Sequence, residues 1–285
     1  MTPVLANKQV TSNGRIIKEM RFARNDLKIL ASIRDCGFVT ARQMHRILPY
    51  RGMKALHIKH VYGSLKRLVY MGYLSVSRSV LPGSNLVYFL TADGHAVLEK
   101  WGCGLGINAD PTTGVAGIPH YIVLNEIMLK IHHAYPVSYW LTDLMVQAEN
   151  QARRQDGFAK DYDAVTELQV DHHTVTLAIE YEHTLRNRAR YREAFSSYVK
   201  DPYVQLVVMI VDSEGWIGPI MEASTVPSQR FCLVTRDHFL SHDHSAVRVR
   251  RWTEKGLEVA SLSAALREAG QIPSTRYPVS FLPPR

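Results

Sequence analysis

The 285-residue sequence predicts an α+β protein of two domains, a basic helical one followed by a larger α/β one. Three observations carry this. Residues 1–100 hold 16 Lys and Arg against five Asp and Glu, a net of +11, whereas residues 101–285 hold 18 against 21, a net of −3. The hydrophobic periodicities of the first hundred residues run helix, helix, helix, strand, turn, strand, helix. Beyond a glycine- and proline-bearing stretch at 102–119 the order becomes α-β-β-β-α-β.

A polar, basic arm occupies residues 1–20 and the first domain spans 21–101. "RNDLKILASIRDCG" reads as a helix, with Asn25 or Asp26 to cap it, Leu27, Leu30, Ala31 and Ile33 as its apolar stripe, and Gly37 to end it. In "FVTARQMHRILP", Thr40 and Gln43 have capping-box spacing, Met44, Ile47 and Leu48 form a short apolar face, and Pro49 closes it. The basic loop "YRGMKALHI" leads to a third helix over about 57–71, whose core side is Val61, Leu65, Leu68 and Val69. "YLSVSRSV" alternates at period two, "LPGSN" is a turn, and "LVYFL" is a second strand. "TADGHAVLEKWG" begins a last helix capped by Thr91.

This order is that of a winged helix-turn-helix, in which the third helix presents its solvent side to a DNA major groove and the hairpin is the wing. A net of +11 on such a module points to a polyanion partner, and duplex DNA is the expectation. The candidate DNA contacts are Arg42, Arg51, Lys54, His57, Lys59, His60, Tyr62, Ser64, Lys66, Arg67 and Arg78, the last at the wing near Arg78–Asn85. No cofactor is required for such binding. The alternative is a fold of the same kind used for protein contacts.

The second domain is expected over 120–270. "HYIVLNEIMLKIHHAY" is an amphipathic helix, and "VSYWLTDLMVQ" and "KDYDAVTELQV" contain strands. "TVTLAIEYEH" alternates, with Val175, Leu177, Ile179 and Tyr181 on one face and Thr176, Ala178, Glu180 and Glu182 on the other. "LRNRARYREAFSSYVK" is a helix with Tyr191, Phe195 and Tyr198 on one side, and the continuous apolar run "YVQLVVMIVD" is a strand buried on both faces. "RDHFLSHDHS" brings His238, His242 and His244 close together, but a polar loop with solvated histidines is the expectation over a metal site. "VRVRRWTEKG" reads as a charged edge strand. The tail 271–285 is proline-rich and extended, lying on its own body or on a partner.

The order α-β-β-β-α-β, with "YDA" and "IEYE" on adjacent strands, resembles the restriction-endonuclease-like fold of the PD-(D/E)xK group. The resemblance implies a Mg²⁺-dependent DNA endonuclease site with Asp163 and Glu180 as metal ligands and catalytic carboxylates. Glu182 stands where that motif has a lysine and becomes a third catalytic candidate: either it helps to ligate a second metal, or a cation arrives from elsewhere, from Lys160, Arg186 or Arg190. The competing reading is a solvent-facing strand answered by the arginines of the next helix. The two parts together, through "DAV…AIEYEHTLRNRARY…SY", resemble the replication–relaxation family of plasmid and mobile-element proteins. That resemblance implies DNA binding that controls replication, transfer or transcription on a bacterial mobile element or phage, with the second domain serving dimerisation, DNA or partner contact; the nuclease-like site itself is expected to be inactive.

Several classes are excluded or expected absent. No apolar run approaches the roughly 20 residues of a membrane span. The N-terminus lacks an apolar secretory core. Cys36, Cys103 and Cys232 are an odd, scattered set, expected as reduced thiols of a cytoplasmic protein. A homodimer on a repeated DNA site, with a replication, transfer or transcription protein as further partner, is the expected assembly.

Overall fold

The computed structural model describes residues 25–78, 86–105, 117–224, 229–253 and 256–278. They form an α+β protein in two compact units, the first built from 25–78 and 86–103 and the second from Gly104 onward. The N-terminal arm, the tip of the hairpin at 79–85, most of the 102–119 stretch and the last seven residues of the tail lie outside the described residues.

In the first unit, α1 (Asp26–Cys36) ends at Gly37, whose φ of 65° suits glycine and whose N–H donates to the Arg34 carbonyl. Asn25 occupies the capping position, but its side chain makes no cap bond. β1 (Val39–Thr40) leads into α2 (Ala41–Ile47), which opens on the expected capping box: the Gln43 N–H donates to Thr40 Oγ1 at 3.2 Å, and the Thr40 N–H to Gln43 Oε1 at 3.1 Å. α3 (Ile58–Tyr70) begins at His57, whose ring accepts from the Lys59 N–H. β2 (Leu74–Ser77) and β3 (Val87–Leu90) form the hairpin, and α4 (Ala92–Lys100) starts at Thr91, which accepts from the Gly94 N–H. The sheet is antiparallel in the order β1-β3-β2. The two-residue β1 has no periodicity of its own; it exists because β3 offers it a partner. Ile29, Ile33, Met44, Ile47, Val61, Leu65 and Leu68 are fully buried, while Val69, expected in the core, is only half-buried.

The second unit contains α5 (Ile118–Ala134), β4 (Val137–Thr142), α6 (Asp143–Arg153), β5 (Ala164–Val170), β6 (His173–Glu182), α7 (Arg188–Lys200) and β7 (Leu206–Val211). It continues through α8 (Ile217–Ala223), β8 (Phe231–Thr235), α9 (Arg236–Ser241), β9 (Arg248–Thr253), β10 (Gly256–Ser261) and α10 (Leu262–Ala269). The strands form one mixed seven-stranded sheet ordered β10-β9-β8-β7-β6-β5-β4, parallel across β6-β7-β8 and antiparallel elsewhere. Residues from α6, α7 and α8 share a core with Tyr139, Leu141, Val165, Ala178, Val207, Met209 and Leu233. The alternate residues Leu177, Ile179, Leu206, Val208 and Ile210 are buried on the opposite face, where α9 and α10 reach the strands.

The expected α-β-β-β-α-β order is therefore interrupted. α6 enters between the first and second strands, held by the burial of Met145, Val146 and Ala148. "RDHFLS" is not a polar loop but a short helix, capped by Thr235 accepting from the His238 N–H and anchored by buried Phe239. β9 is not an edge strand: it lies between β8 and β10, and β10 is the edge. Of the tail, Tyr277 is buried, stacks on Phe158 with centroids 4.0 Å apart, and donates its hydroxyl to Glu149. No described helix is long and apolar enough to cross a membrane.

Candidate functional site

The first candidate surface is the outer side of α2 and α3. A period of 3.6 residues places Val61, Leu65 and Leu68 inward, all fully buried. Arg42, Lys54, His57, Lys59, His60, Tyr62, Lys66 and Arg78 are exposed, and Ser64 is half-buried. Three exposed tyrosines share this unit: Tyr50 (44 %), Tyr62 (46 %) and Tyr70 (69 %). Of these, Tyr62 is among the candidate DNA contacts expected from the sequence, and Tyr50 and Tyr70 are not.

Two of the basic candidates point elsewhere. The Arg67 guanidinium pairs with the carboxylate of fully buried Asp26 at the start of α1. Arg51 pairs with Asp35 at 3.0 Å, where Arg34 also donates. The two carboxylates of α1 thus tie down arginines from α3 and from the turn after α2. Nothing local in the sequence marks this, because each pair joins distant segments.

The second candidate site is the carboxylate group of the second unit. Glu180 and Glu182 are two apart on β6, so they share a face. That face is not solvated: the two residues are 3 % and 5 % exposed. Lys160, from the loop before β5, donates its ammonium to Glu180 and lies 5.7 Å from the Tyr162 ring and 5.8 Å from the Tyr198 ring. Arg186 Nε donates to Glu182 Oε2 at 2.9 Å. Arg190 is exposed in the first turn of α7. Asp163 stands at the entry to β5. Its Oδ2 accepts the Tyr181 N–H at 2.7 Å, and its Oδ1 lies 3.4 Å from His120 Nε2. His120, in the first turn of α5, stacks on Tyr181 with centroids 5.4 Å apart. His120 is not legible as a site residue from the sequence, since a histidine beside a proline at a helix start carries no signal of a partner 43 positions away.

Electrostatics follow from this packing. Burial pushes the Glu180 carboxyl up to about 8 against the pull of Lys160, with the charges of Asp163 and Glu182 adding to the rise. Burial also raises Glu182, opposed by Arg186. For Asp163, burial acts upward, but the hydrogen bond and charge of His120 outweigh it and hold the carboxyl below its ordinary value. His120 moves the other way: burial acts downward, and Asp163 lifts it above the usual imidazole range.

Each acid thus has its own base: His120 for Asp163, Lys160 for Glu180, Arg186 for Glu182. A divalent cation needs several carboxylate oxygens converging on one point. Here both oxygens of Asp163 and one oxygen each of Glu180 and Glu182 face nitrogen groups, and no three His, Cys, Asp or Glu side chains among the described residues are arranged to hold a metal. As arranged, these residues do not fit a Mg²⁺ seat. Around His238, the Nε2 accepts the Arg248 N–H at 2.9 Å and the ring packs on His242 with centroids 4.2 Å apart.

Comparison with known proteins finds one family model, described as replication-relaxation, that matches residues 30–210 and so reaches across both units. No curated protein and no solved structure matches the chain.

Proposed function

The chain belongs to the replication-relaxation family, and from that premise we propose that it is a sequence-specific duplex-DNA-binding protein of a bacterial plasmid, phage or other mobile element. Family membership supports a role in replication or relaxation. In this reading the first unit is a winged helix-turn-helix, α3 is its recognition helix, and the hairpin β2–β3 is its wing. The protein binds as a cytoplasmic homodimer and assists replication or relaxation, or regulates transcription, at its site. The observation that carries the reading is α3 itself: its inner side is wholly apolar, and its outer side offers Lys59 and Lys66 in a region of net +11.

Gel shifts on duplex DNA over a salt series test it. Each lysine–phosphate contact contributes about 0.9 to the slope of log affinity against log salt, so replacing Lys59 and Lys66 with Ala should reduce the slope by about 2. An unchanged slope would remove α3 from the interface.

We propose that the carboxylate group of the second unit is an internally paired structural centre rather than a catalytic one, supported by each acid having a nitrogen partner of its own. A Mg²⁺-dependent endonuclease of restriction-endonuclease-like fold is the competing reading, favoured by Lys160 reaching Glu180 where the β6 motif lacks a lysine. Labelled duplex incubated with Mg²⁺, Mn²⁺ or EDTA separates the two. Metal-dependent shortening that disappears in Glu180→Ala would establish the endonuclease; intact DNA in every lane supports the structural reading.

A further inference from the structure

Lys59, Gly63, Lys66 and Tyr70 follow one another along α3 at i, i+4, i+7 and i+11. That spacing is one line on a helix, and it lies opposite the buried line of Val61, Leu65 and Leu68. All four are exposed. Glycine in the middle of a helix is disfavoured more than any residue except proline, because it gives up the most backbone freedom and shields no backbone from water.

A glycine inside a helix can answer to close packing, and one near a helix start, such as Gly218 in the first turn of α8, costs little even with open space around it. Gly94 in α4 answers to packing: a Cβ there would run into the Tyr73 carbonyl oxygen and the Leu90 side chain. Gly63 does not. A Cβ at Gly63 meets nothing within 4 Å, and its backbone is ordinary α-helix without positive φ. Among the described residues, neither packing nor conformation calls for a glycine at this mid-helix position. The bare patch is instead flanked by two lysines whose long stems can reach phosphates on either side.

We infer that Gly63 is the point of closest approach of duplex DNA, where the edge of a base pair in the major groove comes against the uncovered backbone of α3. This rests on α3 being the DNA-reading helix. Lys59 and Lys66 sit seven residues apart, about 10.5 Å along the axis, so they bracket the contact by about one helical turn on each side. Their contacts are with phosphate and supply affinity for any duplex. The notch at Gly63 excludes side-chain bulk and supplies selectivity: a group the size of a thymine methyl fits where an alanine methyl would otherwise stand.

The experiment uses the full chain. Duplexes are selected from a random pool by the wild-type protein, and binding to a selected duplex is compared with binding to poly(dI–dC). Gly63→Ala should lose about tenfold or more in affinity for the selected duplex, the size of one lost base contact. It should bind poly(dI–dC) as the wild type does, and its melting temperature should rise by a few degrees, about the shift expected from the better helix former. Gly63→Leu should lose more on the selected duplex. Wild-type affinity for that duplex in Gly63→Ala, beside weakened binding in Lys59→Ala/Lys66→Ala, would overturn the close approach and leave the DNA reading standing. Equal loss on both duplexes with a lowered melting temperature would also overturn it, since the notch would then be internal. Absence of any duplex binding by the wild type at low salt would remove both.

Discussion

Replacing Glu180 with Gln should change how the second unit's stability depends on pH, and in a defined direction. Glu180 is 3 % exposed, and burial raises its carboxyl from the ordinary 4.5 to about 8. A carboxyl raised on folding favours the protonated form in the native state. Its contribution is therefore fully present below about pH 4.5 and is lost as pH rises toward 8. Between those limits the native protein holds a proton that the unfolded chain has released, so stability falls by up to about 1.4 kcal/mol per pH unit. Above about 8 the carboxylate is ionised in both states and the loss stops. Glutamine keeps the shape and can still accept from Lys160, but it does not titrate. Relative to wild type, Glu180→Gln should gain up to about 1.4 kcal/mol for each unit between pH 5 and 8. Urea denaturation at pH 5, 6, 7 and 8 measures this. Trp140, Trp216 and Trp252 report the second unit, and Trp101→Phe silences the first. Curves for wild type and variant that run parallel across this range would refute the reasoning, because Glu180 would then be ionised throughout and Lys160 would dominate its burial.

Two further variants probe the first unit. Arg67→Ala removes a cation from fully buried Asp26; with Arg67 itself partly exposed, the loss should be about 2–3 kcal/mol, seen as a lowered melting temperature that Lys66→Ala does not share. Equal melting temperatures for the two variants would deny Arg67 its bracing role. Gly94→Ala places a methyl against the Tyr73 carbonyl and should destabilise by about 1–3 kcal/mol, opposite in sign to Gly63→Ala; a stabilised Gly94→Ala in thermal melts would show that the strand β2 end can move aside.

What could be read from the sequence was what depends on near neighbours. The capping box at Thr40 and Gln43, the cap at Thr91 and the two-sided burial of β7 each follow from contacts a few residues apart or from an unbroken apolar run, and all three are in the structure. Elements made by tertiary partners were not legible. β1 is two residues that pair only because β3 runs beside them. α6 hides in "DLMVQAENQAR", where polar residues dilute the stripe of Met145, Val146 and Ala148. β9 looked like a charged edge, yet β10 covers it, and Arg251 is buried against Glu258 and Glu268.

The carboxylate group shows the same division inside one site. That Glu180 and Glu182 share a face is a two-residue fact of strand geometry and needs no structure. That they are buried depends on the packing of the sheet in the fold, and that each has a nitrogen partner depends on Lys160 reaching Glu180 and Arg186 reaching Glu182, while His120 from α5 serves Asp163 beside them. A motif read along β6 alone finds a lysine missing, whereas the folded chain supplies an ammonium from a loop 20 positions earlier. The spatial requirement, a cation against a buried acid, is met without the sequence pattern that would announce it. Gly63 is the converse case: the residue is plain in the sequence, but its oddity emerges only once the structure shows that nothing among the described residues asks for it.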